Sequence, residues 1–469
     1  MTRLTILHTN DLHGRVNQLL RIATLAKRLR REVEADGGCC VLWDAGDAED
    51  TTLFESSLTK GSAMMAMLRG AGYELETLGN ASPLRYGPQC VKDLAEKFGR
   101  PLLCANMIDP NTQQLVTGLA PYVIQTFGDT MIGIIGLTDP MHYYSFFHLQ
   151  PADPLIVLPD LIKEVRAQGA QIVILLSHLS SKKDRAIAKQ IDGLDLIIGA
   201  HDHVEFNPPI VVNNTIIAQA GDFGRWLGRI DLEINQGRIV QHHGELIPVG
   251  EDLPIDPEAQ SVWESEQERV QQITRHVIGE AREPIDVAYD RECAAGNLLA
   301  DALVDRLKAE IAVALSGHWI TGLDAGPITF GALYAANRST ANPGRARLTG
   351  QRIVDFLRAA LKLENMARSP QGMRGVPIGM PHVAGMRVRY ADDSIEVFVG
   401  SEPLQLDRAY LVAGTDLEFS DFANYLAVPD DQVDYEVPTI VPEVLEDYIM
   451  AHSPINAPPD GRVSRASLA

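Results

Sequence analysis

Four stretches of the chain run from a β-rich apolar segment directly into residues of the kind that ligate metals. They are LTILHTNDLHG into Asp11 and His13, CVLWDAGD into Asp47, IVILLSH into His178, and LDLIIGAHDH into His201 and His203. Short runs rich in Val, Ile and Leu read as strands. The C-terminal ends of parallel strands are where an open α/β sheet places its site, so ligands scattered over the sequence are expected to converge on one spot. From Thr2 to about Val249 such runs alternate with helical stretches such as QLLRIATLAKRLRREVE and LPDLIKEVRAQG, the texture of a layered α/β domain over 1–250.

The chain of 469 residues is too long for one ordinary core. PIDPEAQSVWESEQERVQQITRHVIG reads as a connecting helix, placed within 251–283, and the texture then changes. An amphipathic helix (CAAGNLLADALVDRLKAE), a strand (IAVALSG), a further helix and several short strands predict a smaller α+β domain over 284–469. A net charge of −21 argues against a protein built to grip a nucleic acid polymer or an anionic membrane surface. No apolar run reaches the ~20 residues that span a bilayer, and MTRLTILHTNDLHG carries no leader pattern, so a cytoplasmic location is expected. The neighbours Cys39 and Cys40, with Cys90, Cys104 and Cys293 far apart, suggest reduced, structural thiols.

Asp11 and His13 stand two residues apart, as do His201 and His203, a spacing that puts both side chains of each pair on one side of an extended loop. Asp47, Asn80 and His178 each follow an apolar run. Any one of these residues is by itself an ordinary turn or core residue; seven together form a mixed nitrogen and oxygen set suited to Mn, Fe, Co, Ni or Zn. Seven ligands exceed one tetrahedral ion and suit two divalent ions sharing a carboxylate, the arrangement in which a bridging hydroxide attacks phosphorus.

HTNDLHGR, AGD, GN, SH and AHDH match, in order, the motifs of the calcineurin-like metallophosphoesterases. The chain resembles in particular their two-domain 5'-nucleotidase branch, with a four-layer αββα domain followed by a substrate-specificity domain. ECAAGNLLADAL, ITFGALYAAN and RLTGQRIVDFL resemble that branch's second domain. The resemblance implies that Asp11, His13 and His203 hold one metal, that Asn80, His178 and His201 hold the other, and that Asp47 bridges them and acts in catalysis through them. It implies a hydrolase acting on a small phosphate ester, nucleotide-like in the first instance. Sibling chemistries on the same metal pair are cyclic phosphodiester, pyrophosphate and sulfur-ester hydrolysis. A binding protein that keeps its metals is the reading of a different class.

The departures from the family pattern are local. Where the family has GNH followed by E-F-D, this chain has GNASPL, so Ala81 and Leu84 stand where a histidine and aspartate would assist the leaving oxygen. Where the family has NGGGIR, this chain has SGHWIT, ending at Thr321. His318 is a candidate substitute acid, against the plainer reading of a hydrogen-bonded loop histidine. Trp319 and Tyr425 are candidates for a base clamp and Arg338 for an anion contact, against core, interface and solvated-surface readings.

Overall fold

The computed structural model describes residues 1–50, 53–147, 149–369, 376–391, 394–420 and 427–465. The chain divides into two compact units, Met1–Val270 and Gln271–Ala469. The helix Pro257–Thr274 lies mostly within the first.

The first unit is built on two sheets. In one, the parallel strands Thr2–Thr9, Cys39–Asp44 and Leu75–Glu76 are extended on the other edge of Thr2–Thr9 by the antiparallel pair Trp226–Asn235 and Arg238–Pro248. In the other, Thr130–Thr138, Ile172–His178, Leu196–Ile198 and Thr215–Ala218 run parallel, with Tyr122–Phe127 and Ile210–Val212 antiparallel at the edges. The strand IVILLSH shows why these runs are continuously apolar rather than alternating. Ile172, Ile174 and Leu176 enter a core shared with Leu4, Ile6, Val41 and Trp43 of the first sheet. Val173 and Leu175 enter a second core with Leu158, Ile162 and Val165 of the helix Pro154–Ala167. Both faces of the strand are therefore buried, as parallel sheets require. The helix Val16–Ala35 packs against Cys39–Asp44 and against Ser62–Ala71, which covers the outer face of the first sheet. The result is the four-layer αββα arrangement expected from the sequence.

The second unit is α+β. A five-stranded sheet has the order Pro381–Ala384, Ile311–Leu315, Ala409–Thr415, Pro343–Thr349, Val433–Tyr435. The helix Ala294–Leu307 packs on it. A four-stranded sheet shares its core through Val388 and Val397, with Ile353, Phe356 and Leu357 of the helix Gly350–Ala360. No helix among the described residues is long and apolar enough to cross a membrane.

Candidate metal centre

The loops that carry the candidate ligands are joined to one another by their backbones. Asp11, His13 and Gly14 donate their amides to the carbonyls of Gly46, Asp47 and Ala48, at 2.9, 3.0 and 2.9 Å. The loop after the first strand therefore lies along the loop after the second. Gly46 makes the crossing possible: its φ is +103°, and a Cβ there would stand 2.6 Å from Nδ1 of His178. The AHDH loop is tied in by the His201 amide, which donates to Oδ2 of Asp11 at 2.9 Å.

Six of the seven residues singled out in the sequence present their polar atoms to one another. Nε2 of His13 lies 3.4 Å from Nε2 of His203, and these lie 3.7 and 3.5 Å from Oδ1 of Asp11. On the other side, Nε2 of His178 is 3.2 Å from Oδ1 of Asn80 and 3.4 Å from Oδ2 of Asp47. Asp11, Asp47 and His178 also form a group with ligand atoms within 4.8 Å of one another. The seventh, His201, stacks at a tilt with its ring centroid 5.1 Å from that of His178, and its Nε2 lies 3.6 Å from Oδ2 of Asp139.

The chemistry of this set fits a divalent cation. Oδ1 of Asp11 is fully enclosed and accepts no hydrogen bond, which for a carboxylate oxygen is a costly state unless a positive charge faces it. Two imidazole nitrogens 3.4 Å apart likewise need a proton or a cation between them. Burial disfavours the charged ring of His178, but the Asp47 carboxylate outweighs it and lifts that pKa to about 10. Burial would push Asp47 up, yet the attraction of His178 holds it well below the usual carboxylate range. A metal ion must compete with that proton, so binding is favoured by rising pH.

Five of the seven residues hold a left-handed backbone: φ is +51° at Asp11, +45° at His13, +59° at Asp47, +80° at His201 and +58° at His203. Such conformations are uncommon for residues other than glycine and gather at sites where the surroundings impose them.

Ala81 donates its amide to Oδ1 of Asp47 at 2.8 Å, and Leu84 follows in the short helix Pro83–Tyr86. Neither side chain can move a proton. Two of the second-unit candidates, His318 and Trp319, are enclosed rather than open to a substrate. The ring of His318 is 1% exposed, with Nδ1 2.7 Å from Oγ of Ser339 and Nε2 3.0 Å from Oε1 of Glu418, so neither nitrogen is available to a leaving oxygen. Trp319 is fully buried, which leaves no face of its ring for a base. Arg338 is exposed. Tyr425 lies outside the described residues.

Two acidic residues at the centre were not singled out in the sequence. Asp139 is paired with Lys183 and faces His201; Asp222 lies 3.2 Å from Nδ1 of His203. The available signal was the same one used for the ligands, because IGIIGLTD and TIIAQAGD are further apolar runs ending in an acid.

The 5'-nucleotidase C-terminal domain model matches residues 276–429. Over 88% of the chain and 92% of the relative, the sequence is 25% identical to an uncharacterized metallophosphoesterase of Bacillus subtilis, YunD. Over 97% of the chain and 90% of the relative, it is 26% identical to a 5'-nucleotidase of Vibrio parahaemolyticus. The structure of Haemophilus influenzae NAD nucleotidase superposes with a TM-score of 0.62 at 17% identity, covering 99% of this chain and 100% of that one.

Proposed function

Since the chain belongs to the two-domain 5'-nucleotidase family of calcineurin-like metallophosphoesterases, we propose that it hydrolyses small phosphate esters, nucleotide-like monoesters among them, with two divalent ions. Asp11, His13 and His203 are the ligands at one position, Asn80, His178 and His201 at the other, and Asp47 serves both. The observation that supports this most directly is the gathering of Asp11, His13 and His203, and of Asp47, Asn80 and His178, into two groups with internal contacts of 3.2 to 3.7 Å, joined where ligand atoms of Asp11, Asp47 and His178 lie within 4.8 Å of one another, with Oδ1 of Asp11 enclosed and accepting no hydrogen bond. Divalent ions bound there supply an activated water and stabilise charge on the transferring phosphoryl group.

The protein's own contribution is placement. The Ala45 carbonyl accepts from Nδ1 of His178 at 2.9 Å and so turns Nε2 toward Asn80 and Asp47. The Ala81 amide orients the Asp47 carboxylate. At positions 81 and 84 the chain offers no group to protonate a departing oxygen, a form of assistance typically contributing ~10² to 10⁴ in rate. Esters whose leaving groups depart as stable anions are therefore the favoured substrates, which also keeps aryl-like phosphodiesters in view as a second reading.

The test is hydrolysis of a chromogenic aryl phosphate, a bis-aryl phosphodiester and AMP by the Mn²⁺-loaded protein, with Asp47→Asn as control. Aryl ester turnover that disappears in the control, with AMP cleaved poorly, is the expected result. Absence of turnover in protein carrying two ions would overturn the reading in favour of a metal-retaining binding protein.

A further inference from the structure

We propose that Asp222 is a positioning residue for His203, holding the proton on Nδ1 so that Nε2 stays directed at the cation position made with Asp11 and His13. This inference rests on the metal reading above.

Four observations carry it. The carboxylate oxygen Oδ2 of Asp222 lies 3.2 Å from Nδ1 of His203, while Nε2 of the same ring faces Asp11 and His13. The other oxygen of Asp222 is taken by Arg225, which also reaches Glu205, so the carboxylate is oriented from behind. Asp222 is only 8% exposed although Arg225 is largely in solvent; an exposed ion pair contributes little to stability and does not require a buried acid. Finally, the turn that carries Asp222 is fastened to the ligand loop. The Phe223 amide donates to the Asp11 carbonyl at 2.8 Å, the Asn10 side-chain amide donates to the Gly221 carbonyl, and the Ala220 amide donates to Oδ1 of Asn10 at 2.9 Å. Asp222 and Asp11 are thus fixed on either side of His203 by one continuous set of bonds.

A neutral imidazole binds a cation through one nitrogen and carries its proton on the other, and the group facing that proton sets both ring orientation and basicity. His178 has a neutral carbonyl as its outer partner, whereas His203 has a carboxylate. The two cation positions therefore differ in their outer support, and removing the charge of Asp222 should weaken one of them selectively.

The experiment is titration of the chelator-stripped full-length protein with Mn²⁺, followed by calorimetry and by metal analysis after dialysis, for wild type, Asp222→Asn and Asp222→Glu. Wild type should bind two ions. Asp222→Asn should weaken one by about 10- to 100-fold and leave the other within about twofold, and Asp222→Glu, which keeps the charge, should recover most of the loss. Circular dichroism and melting curves establish that the variants are folded. Unchanged binding of both ions by Asp222→Asn overturns the inference while leaving the metal reading intact. So does a folded Asp222→Glu that has lost the site, and this variant decides the matter alone if Asp222→Asn does not fold. Failure of wild type to bind Mn²⁺ overturns the metal reading itself, and this inference with it.

Discussion

Replacing Gly79 by alanine should damage the centre without touching a ligand. The backbone of Gly79 lies outside the left-handed region, so alanine brings no conformational strain there and acts through its methyl group alone. That methyl would fall on Oδ1 and the main-chain nitrogen of Asp47, and only 2.8 Å from its Cγ. Ordinary contact begins at 3.4 Å, so Asp47 must retreat by at least 0.6 Å, and by more where its oxygen is met. A displacement of about 1 Å in a reacting constellation costs roughly 10² in rate, and forcing a methyl into a packed interior costs about 1–3 kcal/mol of stability. The assay is aryl phosphate turnover beside Mn²⁺ affinity and a melting curve for wild type and Gly79→Ala. Turnover should fall by about two orders of magnitude with weakened Mn²⁺ binding. A variant whose turnover stays within about threefold of wild type and whose Mn²⁺ affinity is unchanged would refute the argument that Gly79 exists to leave room for Asp47.

Reinstating an acid and its partner by the double change Ala81→His and Leu84→Asp should raise turnover of esters with poor leaving groups by up to ~10² while changing aryl ester turnover little; equal effects on both substrates would refute this. His318→Ala should destabilise the second unit by about 1.5–3 kcal/mol, because it removes one of the hydrogen bonds to the buried Glu418 carboxylate, which keeps those from Leu315 and Thr415, while Mn²⁺ content measured by metal analysis stays at the wild-type level. Burial pushes Asp184 up to about 8, against 3.8 for an unburied side chain. Between those pH values the native state keeps a proton that the unfolded state releases, so this group's contribution to stability falls as pH rises. Asp184→Asn removes that slope, and its melting temperature relative to wild type should climb from pH 5 to pH 8; parallel curves would show that Asp184 does not titrate in this window.

The convergence of the candidate ligands was legible because strands such as Ile172–His178 are buried on both faces and read as continuous apolar runs with a candidate ligand at their end. Asp139 and Asp222 end equally apolar runs, yet a single acid after a strand also suits a turn, and only the folded geometry reveals that each faces a histidine. His318 was misleading for the opposite reason. Its neighbours SGHWI read as a loop, and the residue that encloses it, Glu418, lies 100 positions further on. Trp319, next to it, is likewise fully buried. Long-range enclosure of this kind leaves no local trace in periodicity.

The left-handed backbone at Asp11, His13, Asp47, His201 and His203 has a consequence for how such a chain can change over time. Each such conformation costs of order 1–3 kcal/mol, so five together rival the ~5–15 kcal/mol that separates a whole folded domain from its unfolded state. Glycine at any of these positions would relax the turn, and asparagine would tolerate it better. All five are aspartate or histidine, types that with asparagine are enriched in this backbone, so a glycine that relaxed any one of these turns would take a candidate ligand away with the strain it removed.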